Sequence, residues 1–145
     1  MAKSVLLLSG PNLNLLGERE PLIYGDATLD DHVATARAAA EQHGLDLDHM
    51  QSNHEGDLVA AVHGARGRYD AIVINAAALT HYGWSLHDAL AAFEGKVVEV
   101  HLSNPYARET WRHTSVITPV ADGSICGFGG LGYDLAIAAV ARMLE

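Results

Sequence analysis

The chain has 145 residues, about half of them apolar, the size of one ordinary domain with enough hydrophobic material for a core. Its formal net charge is -9, from 18 Asp and Glu against 9 Lys and Arg, with no basic run; this argues against nucleic acid or an anionic membrane surface as partner. The single cysteine, Cys126, cannot form an internal disulfide, and no apolar stretch is long enough for a secretory signal or a membrane span, so a cytoplasmic location is expected.

Val5 to Leu8 is a short apolar run of the kind that forms a buried strand. It empties into a Gly-Pro turn and a loop carrying Asn12, Asn14, Arg19 and Tyr24, more hydrogen-bonding groups than a connector needs. Thr28 can then cap a helix with Asp31 in the box position; Leu29, Val33, Ala36 and Ala40 share a face, and Gly44 stops it. Leu45 to Met50 alternates as a strand does. Ser52 and Glu55 form a second capping box ahead of Leu58, Val62 and Ala65. Ala71 to Ile74 is another apolar run, followed by Asn75, Thr80 and His81. Ser85 and Asp88 form a third box before Leu90 and Phe93, with Gly95 as the stop.

Val97 to Leu102 reads as the fourth strand. Glu99, His101 and Ser103 alternate there with Val98, Val100 and Leu102, so a period of two puts the polar set on one face. Arg108 and Arg112 follow, four apart, as on one face of a short helix. Val116 to Val120 reads as a fifth strand, and Pro119 assigns it to an edge or strand end. The run GFGGLG reads as a close-packed turn before a final helix from Leu131 to Leu144.

Strand and helix thus alternate through one domain, residues 1–145, which implies an α/β fold: a parallel sheet with helices on both faces. In such sheets ligands sit outside the carboxyl ends of the strands. The polar residues that follow the first, third and fourth strands fall at that rim. Each alone has an ordinary explanation: an Asn after Gly-Pro turns the chain, a loop Tyr packs, His81 caps a helix. Their recurrence at the same ends of successive strands is what marks a site.

The residue types narrow its chemistry. No phosphate-binding glycine loop follows the first strand, and no G-x-S-x-G elbow is present. The histidines include no H-x-x-x-H pair, and Cys126 has no partner at ligand spacing, so no metal site is expected. Acid–base chemistry remains. A free phenol has a pKa of about 10, and the Arg19 guanidinium near Tyr24 favours the phenolate, a base for a carbon acid beside a carbonyl. His101 supplies the complementary acid, with Glu99 to orient it, and arginines with backbone N–H groups near Ser103 suit a carboxylate. That set suggests removal of water from a hydroxy-keto acid. Two rivals stay open: a flavin or nucleotide binder, recognisable by stoichiometric yellow cofactor, and a non-catalytic oligomer binding a small acid, recognisable by lack of turnover.

The segments GPNLNLLGEREPLIYG, THYGWSLHDAL, EVHLSNPYARETWRHTS and ICGFGGLGY occur in the order and spacing of the type II 3-dehydroquinate dehydratases, which the chain resembles nearly end to end. The resemblance implies a flavodoxin-like three-layer sandwich with a five-stranded parallel sheet. It implies anti elimination of water from 3-dehydroquinate, without cofactor or metal, in a homododecamer built as a tetramer of trimers. By the same resemblance Tyr24 matches the base at C2, Arg19 its activator, and Asn12 the residue holding a water at the enolate oxygen. His101 matches the acid for the C1 hydroxyl and Glu99 its support. Asn75, Ser103 and the backbone of Leu102 match the carboxylate site. His81 and Arg112 match contacts to the ring hydroxyls, Asp88 a group supplied across the trimer interface, and Arg108 a position near the mobile segment that covers the site.

The chain departs from the family in the middle motif, where Tyr82, Gly83, Trp84, Ser85, Leu86 and His87 replace a Thr-Ser-Val-Ala-Leu-Arg type of run. Trp84 is far larger than valine, and His87 removes a fixed positive charge beside Asp88. Ala77 stands where many relatives have glycine, and Pro105-Tyr106 reshapes the turn ahead of Arg108.

Overall fold

In the computed structural model, which describes residues 2–145, five strands form one all-parallel sheet in the order β2-β1-β3-β4-β5. The strands are β1 (Lys3–Ser9), β2 (Leu45–Gln51), β3 (Ala71–Asn75), β4 (Lys96–His101) and β5 (Gly123–Cys126). The helices are α1 (Pro21–Tyr24), α2 (Leu29–Gln42), α3 (Glu55–Ala65), α4 (Trp84–Ala91) and α5 (Leu131–Met143).

The central strands are apolar on both sides because both faces are covered. Val5, Leu7, Val73, Val98 and Val100 pack with Ala36, Ala39, Ile137 and Val140 of α2 and α5. Leu6, Leu8, Ile72, Ile74 and Val97 pack with Leu58, Val62, Leu86 and Leu90 of α3 and α4. The chain reverses its direction of travel across the sheet between β1 and β3, so their carboxyl ends open a crevice. They lie so close there that a Cβ on Gly10 would sit 2.5 Å from the Ala76 carbonyl oxygen.

The first capping box forms as its spacing predicts: Thr28 Oγ1 accepts from Asp31 N–H, and the Asp31 carboxylate accepts from Thr28 N–H. The other two do not. Helix α3 starts at Glu55 behind His54, and Ser52 instead accepts from His54 N–H and donates to Asp57. Helix α4 starts at Trp84, one residue before the expected cap, and Ser85 and Asp88 make no box. Its third-position N–H, that of Leu86, donates to Glu55 Oε2 at 3.3 Å, so a neighbouring helix supplies the cap. Gly83 sits at this start because the Leu79 carbonyl oxygen would lie 2.7 Å from any Cβ there.

The fifth strand also lies elsewhere than the sequence suggests. Val116 and Ile117 are buried against the α3/α4 side of the core, and Thr118–Val120 is a 3₁₀ turn. Ser115 Oγ accepts from the N–H groups of Ile117 and Thr118, and Pro119 has no N–H to donate, so this segment has little left for a strand ladder. The strand forms a few residues later, with Gly123 opposite Val98 and Cys126 opposite His101. Arg108 and Arg112 do not share a helix; Arg108 lies between two 3₁₀ turns, Pro105–Ala107 and Thr110–His113.

Candidate active site

The crevice at the carboxyl ends of β1, β3 and β4 holds a pocket with about 580 Å³ of empty space, its open mouth included. Of the residues singled out from the sequence, all line it except Asn14, which is exposed, Thr80, which is buried, Glu99 and Asp88. Glu99 stands directly behind His101, while Asp88 is exposed on α4 and does not reach the pocket of its own chain. Pro11, Leu13, Ala77, Ala78 and Pro105 complete the lining. Despite the chain's net charge of -9, the pocket wall carries Arg19, Arg108 and Arg112 and no Asp or Glu.

Past β1 the chain is anchored by buried Leu13 and Leu16, with Asn12 between them and the strand in a left-handed conformation at φ 68°. Asn12 N–H donates to Asn53 Oδ1 at 2.9 Å. The following segment carries Arg19 and the one-turn helix α1, which ends at Tyr24. Glu20 at φ 43° and Gly25 at φ 81°, ψ 179° bracket that turn, the latter in a region open only to glycine. Two cations approach the Tyr24 ring: the guanidinium carbons of Arg19 and Arg108 are each 5.1 Å from its centroid. Arg108 Nη1 also donates to Ser103 Oγ at 3.2 Å, which ties the Tyr24 segment to the end of β4.

At the end of β3, Asn75 is 4% exposed. Its Oδ1 accepts from Ala77 N–H at 3.1 Å and its Nδ2 donates to the Tyr133 hydroxyl at 3.5 Å. Ala77 adopts φ 53°, which is strained for a residue with a Cβ and accounts for glycine being the easier residue there. His81 follows in a 3₁₀ turn. Its Nδ1 donates to the Thr114 carbonyl at 2.7 Å, and its ring meets Trp111 edge-on. Burial is the chief reason its pKa lies below the ordinary imidazole value; the charges of His101 and Arg112 add to this, against the hydrogen bond to Thr114 and the charge of Glu99.

At the end of β4 the predicted alternation is realised. Glu99 is 1% exposed, and its Oε2 accepts from His101 Nε2 at 2.6 Å and from Ser115 Oγ at 2.9 Å. Its Oε1 accepts from Thr118 Oγ1. Burial alone would push the carboxyl pKa up; hydrogen bonds from His101, Thr118 and Ser115, together with the charge of His101, outweigh it and hold Glu99 below the usual carboxylate value. With Nε2 committed to Glu99, the other ring nitrogen of His101 is the one left for the pocket that the residue lines. Arg112 is held by Glu109, with its guanidinium 4.0 Å above the Trp111 ring.

Sequence reasoning misses Thr118, which falls inside the Val116 to Val120 run that reads as a strand, Ser115, which stands just ahead of that run, and Tyr133, which it places only in the last helix. Cys126 lies on β5, where burial pushes its thiol pKa up, against a smaller opposing effect of Ser124. No group of three His, Cys, Asp or Glu side chains placed to hold a metal ion is found among the described residues.

The family model for dehydroquinase class II matches residues 3–141. The chain is 57% identical over 137 residues to 3-dehydroquinate dehydratase 1 of Corynebacterium efficiens, covering 94% of this chain and 91% of that one. It is 50% identical over 145 residues to the catabolic 3-dehydroquinase of Phaeosphaeria nodorum, covering 100% and 95%. Its structure is similar to that of the type II dehydroquinase of Propionibacterium acnes, with a TM-score of 0.94, 41% identity and 98% of each chain covered.

Proposed function

The chain belongs to the dehydroquinase class II family, and from that premise we propose that it removes water from 3-dehydroquinate by anti elimination through an enolate, giving 3-dehydroshikimate. At the coarser level it is a hydro-lyase, a 3-dehydroquinate dehydratase of the shikimate pathway or of quinate catabolism. The whole chain, 1–145, acts as one catalytic domain.

Tyr24 is the base. Its phenol oxygen takes a proton from C2, next to the C3 ketone, with the Arg19 and Arg108 guanidiniums beside the Tyr24 ring. The electron pair left at C2 spreads onto the ketone oxygen as an enolate, where Asn12 holds a water that donates to it. The enolate then collapses to form the C1–C2 double bond. The C1 hydroxyl leaves with a proton from His101, and the buried Glu99 carboxylate orients that ring and offsets its charge. The products are water and a conjugated enone. Asn75, Ser103 and the Leu102 backbone N–H receive the substrate carboxylate, and His81 and Arg112 meet its ring hydroxyls. Asp88, remote from the pocket of its own chain, completes a neighbour's site in a trimer, and four trimers make the dodecamer. The protein works in the cytoplasm.

The observation that carries this reading is a tyrosine with two guanidiniums beside its ring, sharing one pocket with a histidine backed by a buried carboxylate. The test is ultraviolet absorbance from the conjugated enone on adding 3-dehydroquinate. Tyr24→Phe and His101→Ala should each lower kcat about 10²- to 10⁴-fold, the usual worth of a positioned acid or base. Either variant at near wild-type rate would overturn the assigned role.

A further inference from the structure

Asn75 is held at both ends of its carboxamide, and one of the two holders lies in the last helix. We propose that Tyr133 is a positioning residue of the site: its hydroxyl sets the Asn75 carboxamide, and the glycines of the Gly127–Gly132 run set the depth of that hydroxyl. This rests on the reading of Asn75 as a substrate-carboxylate contact.

Asn75 Oδ1 is occupied by the Ala77 N–H, which decides which end of the amide is oxygen and which is nitrogen. Nδ2 carries two protons. One goes to the Tyr133 hydroxyl, and the other is the group that Asn75, as a pocket-lining residue, can offer a ligand. Without the Tyr133 oxygen, a buried N–H loses its acceptor and the amide is restrained at one end only.

The Asn75–Tyr133 bond measures 3.5 Å, the long end of the hydrogen-bond range, so movements of a few tenths of an ångström along the helix axis or across it decide its strength. The glycine run controls those movements. A Cβ on Gly132 would lie 3.1 Å from Val100 Cγ2, so its absence lets α5 settle onto β4. A Cβ on Gly130 would lie 3.0 Å from the His32 ring, so its absence admits that ring beside the helix start. The His32 ring in turn stacks on Tyr133, with centroids 5.4 Å apart at 30°. Tyr133 itself is 1% exposed. Burial pushes its phenol pKa up, against a smaller opposing effect of the Asn75 contact, so it acts as a neutral hydroxyl. The glycine-rich motif therefore serves the site without touching a ligand.

The experiment is a double-mutant cycle on turnover of 3-dehydroquinate, with Tyr133→Phe, Asn75→Ala and the pair, and with a crystal structure of Tyr133→Phe. Tyr133→Phe should raise KM about 3- to 10-fold, the worth of one hydrogen bond, with kcat nearly unchanged and the same factor from mildly acid to mildly alkaline pH. In the Asn75→Ala background the same change should have almost no effect on KM. The Asn75 amide should turn or take two conformers in the variant structure. Additive effects, a loss confined to kcat, or an Asn75 amide in its original place would each overturn the proposal. Should Tyr133→Phe not fold, Gly132→Ala keeps the hydroxyl and lifts the helix, and it must raise KM in the same selective way. If the wild-type protein does not turn over 3-dehydroquinate, the functional reading falls, and the amide position in the variant structure still decides this one.

Discussion

Glu99→Gln removes a charge from the middle of the protein and very little else. Gln has the same length and shape. Its carbonyl oxygen can stay toward His101 Nε2 and Ser115 Oγ, at 2.6 and 2.9 Å in the native protein. Its amide nitrogen then faces Thr118, whose hydroxyl can rotate from donor to acceptor. All three partners keep a hydrogen bond, and the fold should survive with a modest shift in melting temperature. What disappears is the counter-charge to a protonated His101, at a residue only 1% exposed, where water cannot substitute. A hydrogen bond to a charged group is worth about 1.5–3 kcal/mol, so kcat should fall about 10- to 150-fold. Glu99→Ala is the contrasting case. It leaves an imidazole and two hydroxyls facing a cavity and should cost about 3–5 kcal/mol of stability besides the loss in rate. Initial rates from enone absorbance, with thermal melts of both variants, separate the two effects. A Glu99→Gln enzyme with wild-type kcat would refute the reasoning, and so would one that loses as much stability as Glu99→Ala.

Acid should weaken the fold in two stages. His32, His49 and His81 all titrate below the imidazole reference of 6.5, each chiefly because of burial, so below that pH the unfolded chain binds protons that the folded chain does not. Their contribution is present above about pH 6.5 and is lost as pH falls toward the folded values; that of Glu99 is present above about pH 4.5 and is lost as pH falls through its lower folded value. The urea midpoint should accordingly be lower at about pH 5.5 than at about pH 7.5, and an equal or higher midpoint would contradict this. Ala77→Gly relieves a left-handed alanine worth about 1–2 kcal/mol, against about 0.4–1 kcal/mol of added freedom in the unfolded chain. Thermal melts should therefore show a stability equal to the native protein's or up to about 1.6 kcal/mol higher, and a clear loss would mean that φ 53° carries no strain. Dialysis against EDTA should leave turnover unchanged; loss of rate, restored by one divalent ion, would assign a metal to the site.

The amino-acid sequence determined on its own most of the strands and the face that each side chain takes along them. Apolar runs located β1, β3 and β4, because a strand covered on both faces must be apolar throughout, and alternation located β2 at the sheet edge. Three Ser/Thr-x-x-Asp/Glu boxes share one spacing and only Thr28–Asp31 forms, so spacing offers a cap and the packing around each helix start decides whether it is used. The alternation of Glu99 and His101 with valines put the acid and its support on one side of β4, because a strand's period of two needs no tertiary information. Tertiary structure decided whatever joins distant segments. Glu55 lies 31 residues from the helix start it caps. Asn75 and Tyr133 are 58 residues apart. Ser115 and Thr118 reach Glu99 only because their segment folds under β4 in place of pairing beside it. An edge strand has a partner on one side only, so the short β5 left a faint pattern, and the apolar run before it looked more like a strand than the strand did. Periodicity tells which face a side chain takes; only the packed chain supplies the group that meets it there.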